Sequence, residues 1–141
     1  MIDIENKVFN DIAVPLREQF KGIYVVGEFI DLPNSFPCVT LVEEDNYTYT
    51  GSQDTSLREN HVTVVYTVNV YSNKTKGKKA EAKEIADAID GLMEDMKFTR
   101  TFRSQIPNTD RTIYRIIMRY TAVVSKGIMD GETITHQMFR K

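Results

Sequence analysis

The stretch that decides the fold runs from His61 to Tyr71 and reads HVTVVYTVNVY. Its residues alternate between two faces, and one face carries only large apolar side chains, as expected of a strand with one side against a core. These side chains are Val62, Val64, Tyr66, Val68 and Val70. Burying them would stabilise the fold by roughly 8–15 kcal/mol before conformational entropy is subtracted. A slip of one residue in strand pairing would expose them all, so this strand also sets the register of its sheet.

A helix is predicted on each side of this strand in the sequence. Between Asp3 and Phe20, large apolar residues recur every four positions, which predicts an amphipathic helix with Asp3 as its N-cap. Pro15 lacks a backbone donor and is expected to kink or end this helix nearby. A second amphipathic helix is predicted over Ala80–Met96, where alanines permit close packing on a sheet. The apolar stripes are Ile4, Val8, Ile12, Leu16 and Phe20 in the first helix and Ile85, Ile89, Leu92 and Met96 in the second.

Four further strands complete the predicted sheet. Short strands are predicted over Ile23–Phe29 and Cys38–Glu44. After the second helix, a strand over Lys97–Ile106, with Phe98 and Phe102 facing inward, is followed by a turn and a last strand. The core face of that last strand consists of Tyr114, Ile116, Met118, Tyr120, Ala122 and Val124. These segments predict an α+β fold, a single mostly antiparallel β-sheet packed with two helices in the order α-β-β-β-α-β-β.

The chain is expected to form one α+β domain over residues 1–125, followed by a C-terminal tail over residues 126–141. Within the domain, residues 45–59 are polar and are predicted to form a long loop or protruding hairpin. A loop of about 15 residues is uncommon in a compact domain and is often functional. Tyr47 and Tyr49 lie in this loop and are candidate interaction residues.

Composition excludes several classes of protein. With 41% hydrophobic and 27% charged residues, the chain of 141 residues is typical of a folded globular domain and unlike a disordered one. Its net charge of -2 argues against a dedicated nucleic-acid binder, and no apolar run approaches the roughly 20 residues of a membrane helix. Because Cys38 is the single cysteine, no intrachain disulfide is possible, which favours folding in a reducing cytoplasm.

No catalytic or metal-binding pattern is visible in the sequence. The GKK of Gly77–Lys79 lacks the upstream glycine of a phosphate-binding loop, and there is no GxGxxG motif. His61 and His136 do not have the spacing of metal ligands on a helix, and Cys38 has no nearby partner. The carboxylates cluster in a loop and on a helix face, where solvation explains them better than an acid–base pair. We therefore expect no cofactor, no metal and no enzymatic activity.

Arginines recur along the last two predicted strands. They are Arg100 and Arg103 on one strand and Arg111, Arg115 and Arg119 on the other. An exposed, charged sheet face that limits aggregation is one explanation. Ile113 and Ile117, which alternate with the arginines of the last strand, favour partial burial against a helix or a neighbouring subunit, with arginine stems packed and heads paired. Both interpretations stay open, and all of these arginines are candidate interaction residues.

Lysines cluster around the start of the second predicted helix. They are Lys74, Lys76, Lys78 and Lys79. Positive charge at a helix N-terminus opposes the helix dipole and costs a few tenths of a kcal/mol per charge. Because sequences often break a local rule at a functional position, this turn is a candidate contact for an acidic partner or a nucleic-acid phosphate. A solvated lysine loop is the alternative.

Several segments together carry a resemblance to a known family. The N-terminal helix stripe is followed by FPCVTL at Phe36–Leu41, the valine-rich strand, KAEAKEIA at Lys79–Ala86, and YRIIMRYTAVV at Tyr114–Val124. In this order, with a YR…RY strand late in a chain of this size, the sequence resembles the phage tail terminator (tail completion) proteins of long-tailed phages and phage-tail-like particles. The resemblance covers roughly residues 2–125.

The resemblance implies a subunit of a ring, typically a hexamer, at the head-proximal end of the virion tail, assembled in the host cytoplasm. Such a ring caps the tail tube, ends its polymerisation and joins it to the neck. The implied partners are further copies of the chain, the tail-tube protein, a neck or head-completion protein and DNA passing through the lumen, without a membrane. The loop 45–59 and the C-terminal tail are expected to make some of these contacts.

Two alternative functions stay open at this point. One is a head-completion or neck adaptor protein of similar size. The other is a small nucleic-acid-binding α+β module that uses Lys74–Lys79 and the arginines of the sheet, although the exposed aromatic residues expected for base stacking are not interleaved with them.

Overall fold

The computed structural model describes residues 4–30, 32–48, 61–107, 110–125 and 137–139. Within these residues, two helices and six strands are present. They are α1 (Glu5–Gln19), β1 (Tyr24–Val26), β2 (Cys38–Thr48), β3 (His61–Ser72), α2 (Lys78–Asp95), β4 (Thr99–Ile106), β5 (Tyr114–Ser125) and β6 (Gln137–Phe139). The predicted α+β class and the predicted order α-β-β-β-α-β-β of the first seven elements are confirmed.

The strands form one mostly antiparallel sheet with the spatial order β1-β2-β3-β5-β4. β3 is central, because it pairs antiparallel with β2 on one side and over its full length with β5 on the other. β4 pairs antiparallel with β5, and β1 lies parallel to β2. β6 pairs with Val123–Ser125, beyond the part of β5 that β4 covers, so β6 continues the β4 edge of the sheet.

α1 and α2 pack on the same face of the sheet and enclose the core there. The predicted stripe of α1 is confirmed: Ile4, Val8, Ile12 and Leu16 are buried, and Phe20 packs against them.

α1 starts one residue later than its predicted N-cap implies, and Pro15 does not end it at once. Ile4 occupies the N-cap position in place of the predicted Asp3, which lies outside the described residues. Pro15 lies inside the helix, which continues for a further turn to Gln19.

α2 buries the predicted Ile85 and Ile89, but different residues from those predicted are buried in its last turn. Met93 is the fully buried residue there, whereas Leu92 and Met96 are partly buried at the margin of the core. Ile85, Ile89 and Met93 are four residues apart, so α2 presents the same kind of stripe as α1.

The prediction that Phe102 faces inward is wrong. Phe98 is buried just before β4, and simple alternation would put Phe102 on the same face. A β-bulge between Arg100 and Phe102 interrupts that alternation. Phe102 therefore lies opposite Arg119, on the other face, where it is 38% exposed.

The loop predicted over residues 45–59 begins later in the structure. Residues 45–48 are the end of β2 and pair with β3, across a β-bulge between Glu43 and Asp45. Residues 49–60 lie outside the described residues.

The outermost strands also differ from the sequence pattern. β1 comprises only Tyr24–Val26 of the strand predicted over Ile23–Phe29. β6 lies within the segment predicted as a C-terminal tail, of which residues 126–136 and 140–141 lie outside the described residues.

Candidate assembly surfaces

The face of the sheet opposite α1 and α2, here called the open face, is covered by neither helix. Val42, Val65 and Ile117 lie on it and are only partly buried. Between them lie buried threonine side chains whose hydroxyls have no hydrogen-bond partner among the described residues: Thr40, Thr67 and Thr121. The centre of this face therefore offers little polar surface to water, which suits contact with protein better than solvation.

The connection between β1 and β2 covers one end of the open face. The Tyr71 hydroxyl donates a hydrogen bond of 2.9 Å to the carbonyl oxygen of Ile30 in this connection. Tyr71 also packs with Cys38 and Ile113 in a second, smaller core, against which Phe36 lies. Ile113, expected beside the arginines, is thus buried by a loop of its own chain.

Arg115 is held in this covered end of the open face. Its guanidinium lies 5.6 Å from the centre of the Phe29 ring and 5.5 Å from the centre of the Tyr71 ring. Its Nε donates a hydrogen bond of 2.9 Å to Oδ1 of Asn69, a buried residue. Of the two interpretations of the arginines, partial burial is therefore the one that holds for Arg115, and the covering element belongs to the same chain.

The other arginines predicted on this strand are exposed. Arg119 lies on the open face, with its Nε 3.5 Å from Oε2 of Glu44 and both side chains accessible to solvent. Arg111 lies in the turn before β5, not on the strand, and its carbonyl oxygen accepts a hydrogen bond of 3.0 Å from Nζ of Lys78. The predicted arginine face is therefore not a continuous ladder.

Arg100 and Arg103 lie on the helix side of the sheet, against α2. Nη1 of Arg103 is 2.8 Å from Oδ1 of Asp87, and Nη1 of Arg100 is 3.3 Å from Oδ1 of Asp90. The Tyr120 hydroxyl donates to the same Asp90 oxygen at 2.8 Å, and burial raises the pKa of Tyr120 far above its ordinary value. The β4 bulge places both arginines, which are three residues apart, on this side of the sheet, whereas Arg119 lies on the open face.

A groove of about 410 Å³ runs between α2 and β4 and is called the basic edge. Among the described residues, its lining is Lys79, Lys83, Arg100, Arg103, Ser104, Gln105, Tyr114 and Ile116. No carboxylate belongs to this described lining, although Asp87 and Asp90 of α2 pair with its two arginines. Sequence reasoning missed Lys83, which lies one turn after the predicted Lys79 and could have been found from that spacing.

A second groove, of about 490 Å³, follows the opposite edge of the sheet and is called the acidic edge. Among the described residues, its lining is Glu5, Phe9, Tyr24, Val25, Val26, Gly27, Glu28 and Ile30. The charged members of this described lining are two carboxylates, and Arg17 lies beside it, against Phe9 and Val25. Sequence reasoning missed this groove, because α1 and the segment after β1 contribute the two carboxylates and no local pattern connects them.

The two ends of the strands also differ. At one end, called the loop end, β2 finishes, β3 starts and β6 pairs with the end of β5. At the other end, called the basic end, lie the predicted lysines and Arg111: Lys74, Lys76 and Lys79 are exposed, and Lys78 is half-buried. Tyr47 is 44% exposed near the loop end, whereas Tyr49 lies outside the described residues.

These features are candidate docking surfaces, and a comparison with known families adds an independent finding. The family described as Tail completion protein gp17 has a sequence model that matches residues 21–125. The chain belongs to this family. No curated protein matches the chain.

Membership of the tail completion family confirms the resemblance seen in the sequence. The matched residues run from the turn before β1 to the end of β5 and include α2, the open face and the basic edge. The protein is therefore a virion component with a structural role in phage tail assembly, and it interacts with other components of the tail.

Chemical sites do not alter this assignment. Within the described ranges, no group of three or more His, Cys, Asp or Glu residues is placed to hold a metal ion. Cys38 is buried, and burial raises the pKa of its thiol to about 11, so little thiolate exists at neutral pH. Neither described helix is long and apolar enough to cross a membrane.

Proposed function

We propose that the protein is a tail terminator, a subunit of a hexameric ring at the head-proximal end of the tail that caps the tail tube, ends its polymerisation and joins it to the neck. The observation that carries this proposal is the tail completion family match over residues 21–125, which takes in the sheet from β1 to β5. The surfaces of the subunit support it, since a basic groove, an acidic groove and a largely apolar open face suit contacts with protein.

The proposed mechanism is geometric and makes no covalent bond. A tube grows because each added layer exposes the same binding surface that it found on the layer below, so that a further layer can bind. A closed ring ends this repetition if one side matches the tube and the other side presents a different surface. Such a subunit needs contacts to its neighbours and two unlike axial contacts.

The unlike axial contacts are the two ends of the strands. The loop end carries Tyr47 and β6, whereas the basic end carries Lys74, Lys76 and Arg111. The predicted loop 45–59, which contains Tyr49, and the C-terminal tail stay candidates for contacts of the ring. We assign one end to the tube and the other to the neck. Cations at the basic end also suit DNA that passes through the lumen.

The proposal is tested by negative-stain imaging and mass determination of the purified protein, alone and mixed with tail tubes. We expect sixfold rings, one at a single end of each tube, and an arrest of elongation when tube protein polymerises in their presence. A polypeptide that stays monomeric at every concentration and leaves tubes unchanged contradicts the proposal. Binding to a portal-side adaptor without binding to tubes identifies a head-completion or neck adaptor instead.

Charge reversal tests the axial assignment separately. In the variant Lys74→Glu/Lys76→Glu, both altered side chains are exposed, so folding and ring formation are expected to persist. One of the two contacts, to tube or to neck, is lost, while the other remains. The control Lys74→Arg/Lys76→Arg keeps the charge and should keep both contacts. Retention of both contacts by the charge-reversed variant defeats the assignment of the basic end.

A nucleic-acid-binding module is the second candidate, and the basic edge is the observation that favours it. Lys79, Lys83, Arg100 and Arg103 line one groove, whose described lining includes no carboxylate. Phosphate binding by such a groove weakens steeply with salt, by roughly one counterion per phosphate contacted. Salt-dependent retention on DNA, without tube capping, would support this function.

A further inference from the structure

The basic edge carries more cations than its ion pairs among the described residues account for. Two of its cations, Arg100 and Arg103, are paired with carboxylates of α2. Lys79 and Lys83 are exposed, lie one helical turn apart on α2 and face the same groove as these arginines. Tyr114 and Ile116 supply an apolar part of the lining beneath the charges.

The acidic edge has the complementary composition. Glu5 and Glu28 are exposed, and the lining between them is mostly apolar, including the Tyr24 ring, which is 42% exposed. Arg17 of α1 is engaged inside this edge: it lies over the Phe9 ring at 5.9 Å and donates to the Val25 carbonyl oxygen at 3.4 Å. Charged groups around an apolar centre are the usual anatomy of a protein–protein contact.

The position of the two edges determines how they can meet. In the strand order β1-β2-β3-β5-β4, the acidic edge adjoins β1 and the basic edge adjoins β4, so the whole width of the sheet separates them within one copy. Two different surfaces on opposite sides of a subunit form a heterologous contact, which closes into a ring when the rotation between copies is right.

We infer that the basic edge of each subunit docks on the acidic edge of the next subunit. This inference rests on the proposed ring and names the surfaces and the partner, a second copy of this chain, that build it. Lys79 and Lys83 of one copy face Glu5 and Glu28 of its neighbour. The contact is made by side chains rather than by strand addition at β1, because Arg17 already occupies the outward carbonyl group of Val25.

Complementary charge reversal tests the inference. The first variant is Lys79→Glu/Lys83→Glu, and the second is Glu5→Lys/Glu28→Lys. Each variant alone joins edges of like charge, which are expected to repel one another, so neither forms rings. In an equimolar mixture, the altered basic edge of the first variant, now negative, meets the altered acidic edge of the second variant, now positive. The unaltered basic edge of the second variant meets the unaltered acidic edge of the first. We expect alternating rings with equal numbers of the two variants, measured by native mass spectrometry.

Folding of each variant is checked by circular dichroism and thermal unfolding. If Glu5→Lys weakens the first turn of α1, the single exchanges Lys83→Glu and Glu28→Lys repeat the same test with less charge. The control Glu84→Lys reverses an exposed charge of α2 outside the lining of the basic edge and should leave rings intact.

The outcomes separate the inference from the proposed function. Wild-type rings together with rings of both variants overturn the inference and leave the tail terminator function standing. Wild-type rings that neither variant nor their mixture can form also overturn it, since restoration by mixing is the specific expectation. A wild-type protein that never forms rings defeats the proposed function and the inference with it. Unchanged rings with loss of DNA binding in the lysine variant assign the basic edge to nucleic acid instead.

Discussion

Arg115 allows a quantitative test of how the connection between β1 and β2 covers the open face. Replacement by alanine removes the hydrogen bond to Oδ1 of Asn69, which is 1% exposed, and leaves a buried amide oxygen without this partner. Such a loss costs about 1–3 kcal/mol. The contacts of the guanidinium with the Phe29 and Tyr71 rings contribute about 0.5–1 kcal/mol each. Arg115→Ala is therefore expected to lower the free energy of unfolding by about 2–5 kcal/mol.

The assay is urea denaturation followed by circular dichroism, repeated at several protein concentrations so that loss of assembly is separated from loss of folding. Arg119→Ala is the matched control, because Arg119 lies four residues further along β5 on the same face. Its exposed pair with Glu44 at 3.5 Å is worth about 0–1 kcal/mol. Arg115→Lys keeps the charge but loses the planar stacking, so it should recover less than half of the loss.

If Arg115→Ala and Arg119→Ala lower the free energy of unfolding equally, within about 0.5 kcal/mol, the burial of Arg115 does not stabilise the fold as stated, since burial is the difference between the two arginines. A double-mutant cycle with Phe29→Ala gives an independent check. Residues in contact are expected to show a coupling of at least about 0.5 kcal/mol, whereas separated residues are additive.

Three further predictions concern the fold itself. Gly91→Ala should raise the free energy of unfolding by about 0.5–1 kcal/mol, because alanine favours the helix and its methyl group meets nothing within 4 Å. Gly77→Ala should lower the free energy of unfolding by about 1 kcal/mol, because Gly77 has φ +90°, which disfavours alanine. Equal shifts of the thermal midpoint in the two variants would contradict this pair of predictions. Tyr120→Phe removes the 2.8 Å hydrogen bond to Asp90 and should cost about 1 kcal/mol in urea denaturation, so an unchanged midpoint would show that this bond contributes nothing. Burial raises the pKa of the Cys38 thiol from 9.0 to about 11, so the free energy of unfolding should fall as the pH rises between these values. Cys38→Ala should remove this contribution to the pH dependence of stability. An identical pH dependence in the variant would contradict the assigned cause.

Local periodicity accounts for the parts of the fold that the sequence predicted. The alternation in β3 and the four-residue spacing in α1 are properties of neighbouring residues, so both elements and their buried faces could be read directly. Residues 45–48 could not, because they are polar and join β2 only through pairing with β3. The bulge that turns Phe102 outward likewise depends on the register against β5.

The candidate surfaces show the same division. Equal spacing made Arg111, Arg115 and Arg119 resemble one face of a strand, either exposed or partly buried as a set. In the structure, one lies in a turn, one is held between aromatic rings and one is exposed. The exposure of each arginine depends on whether the connection between β1 and β2 covers it, and that connection is distant in the sequence. The acidic edge was missed for the same reason, since Glu5 and Glu28 meet only through the packing of α1 against β1.

By itself, the sequence determined the order of the elements, the apolar faces that become the core and the family to which the chain belongs, because these reside in short patterns of neighbouring side chains. Only the tertiary structure decided which charges share a surface. The strand order β1-β2-β3-β5-β4 places a basic groove and an acidic groove on opposite sides of one sheet. That order arises from pairing between distant strands, whose free energy depends on the whole set of contacts and is encoded in no single segment.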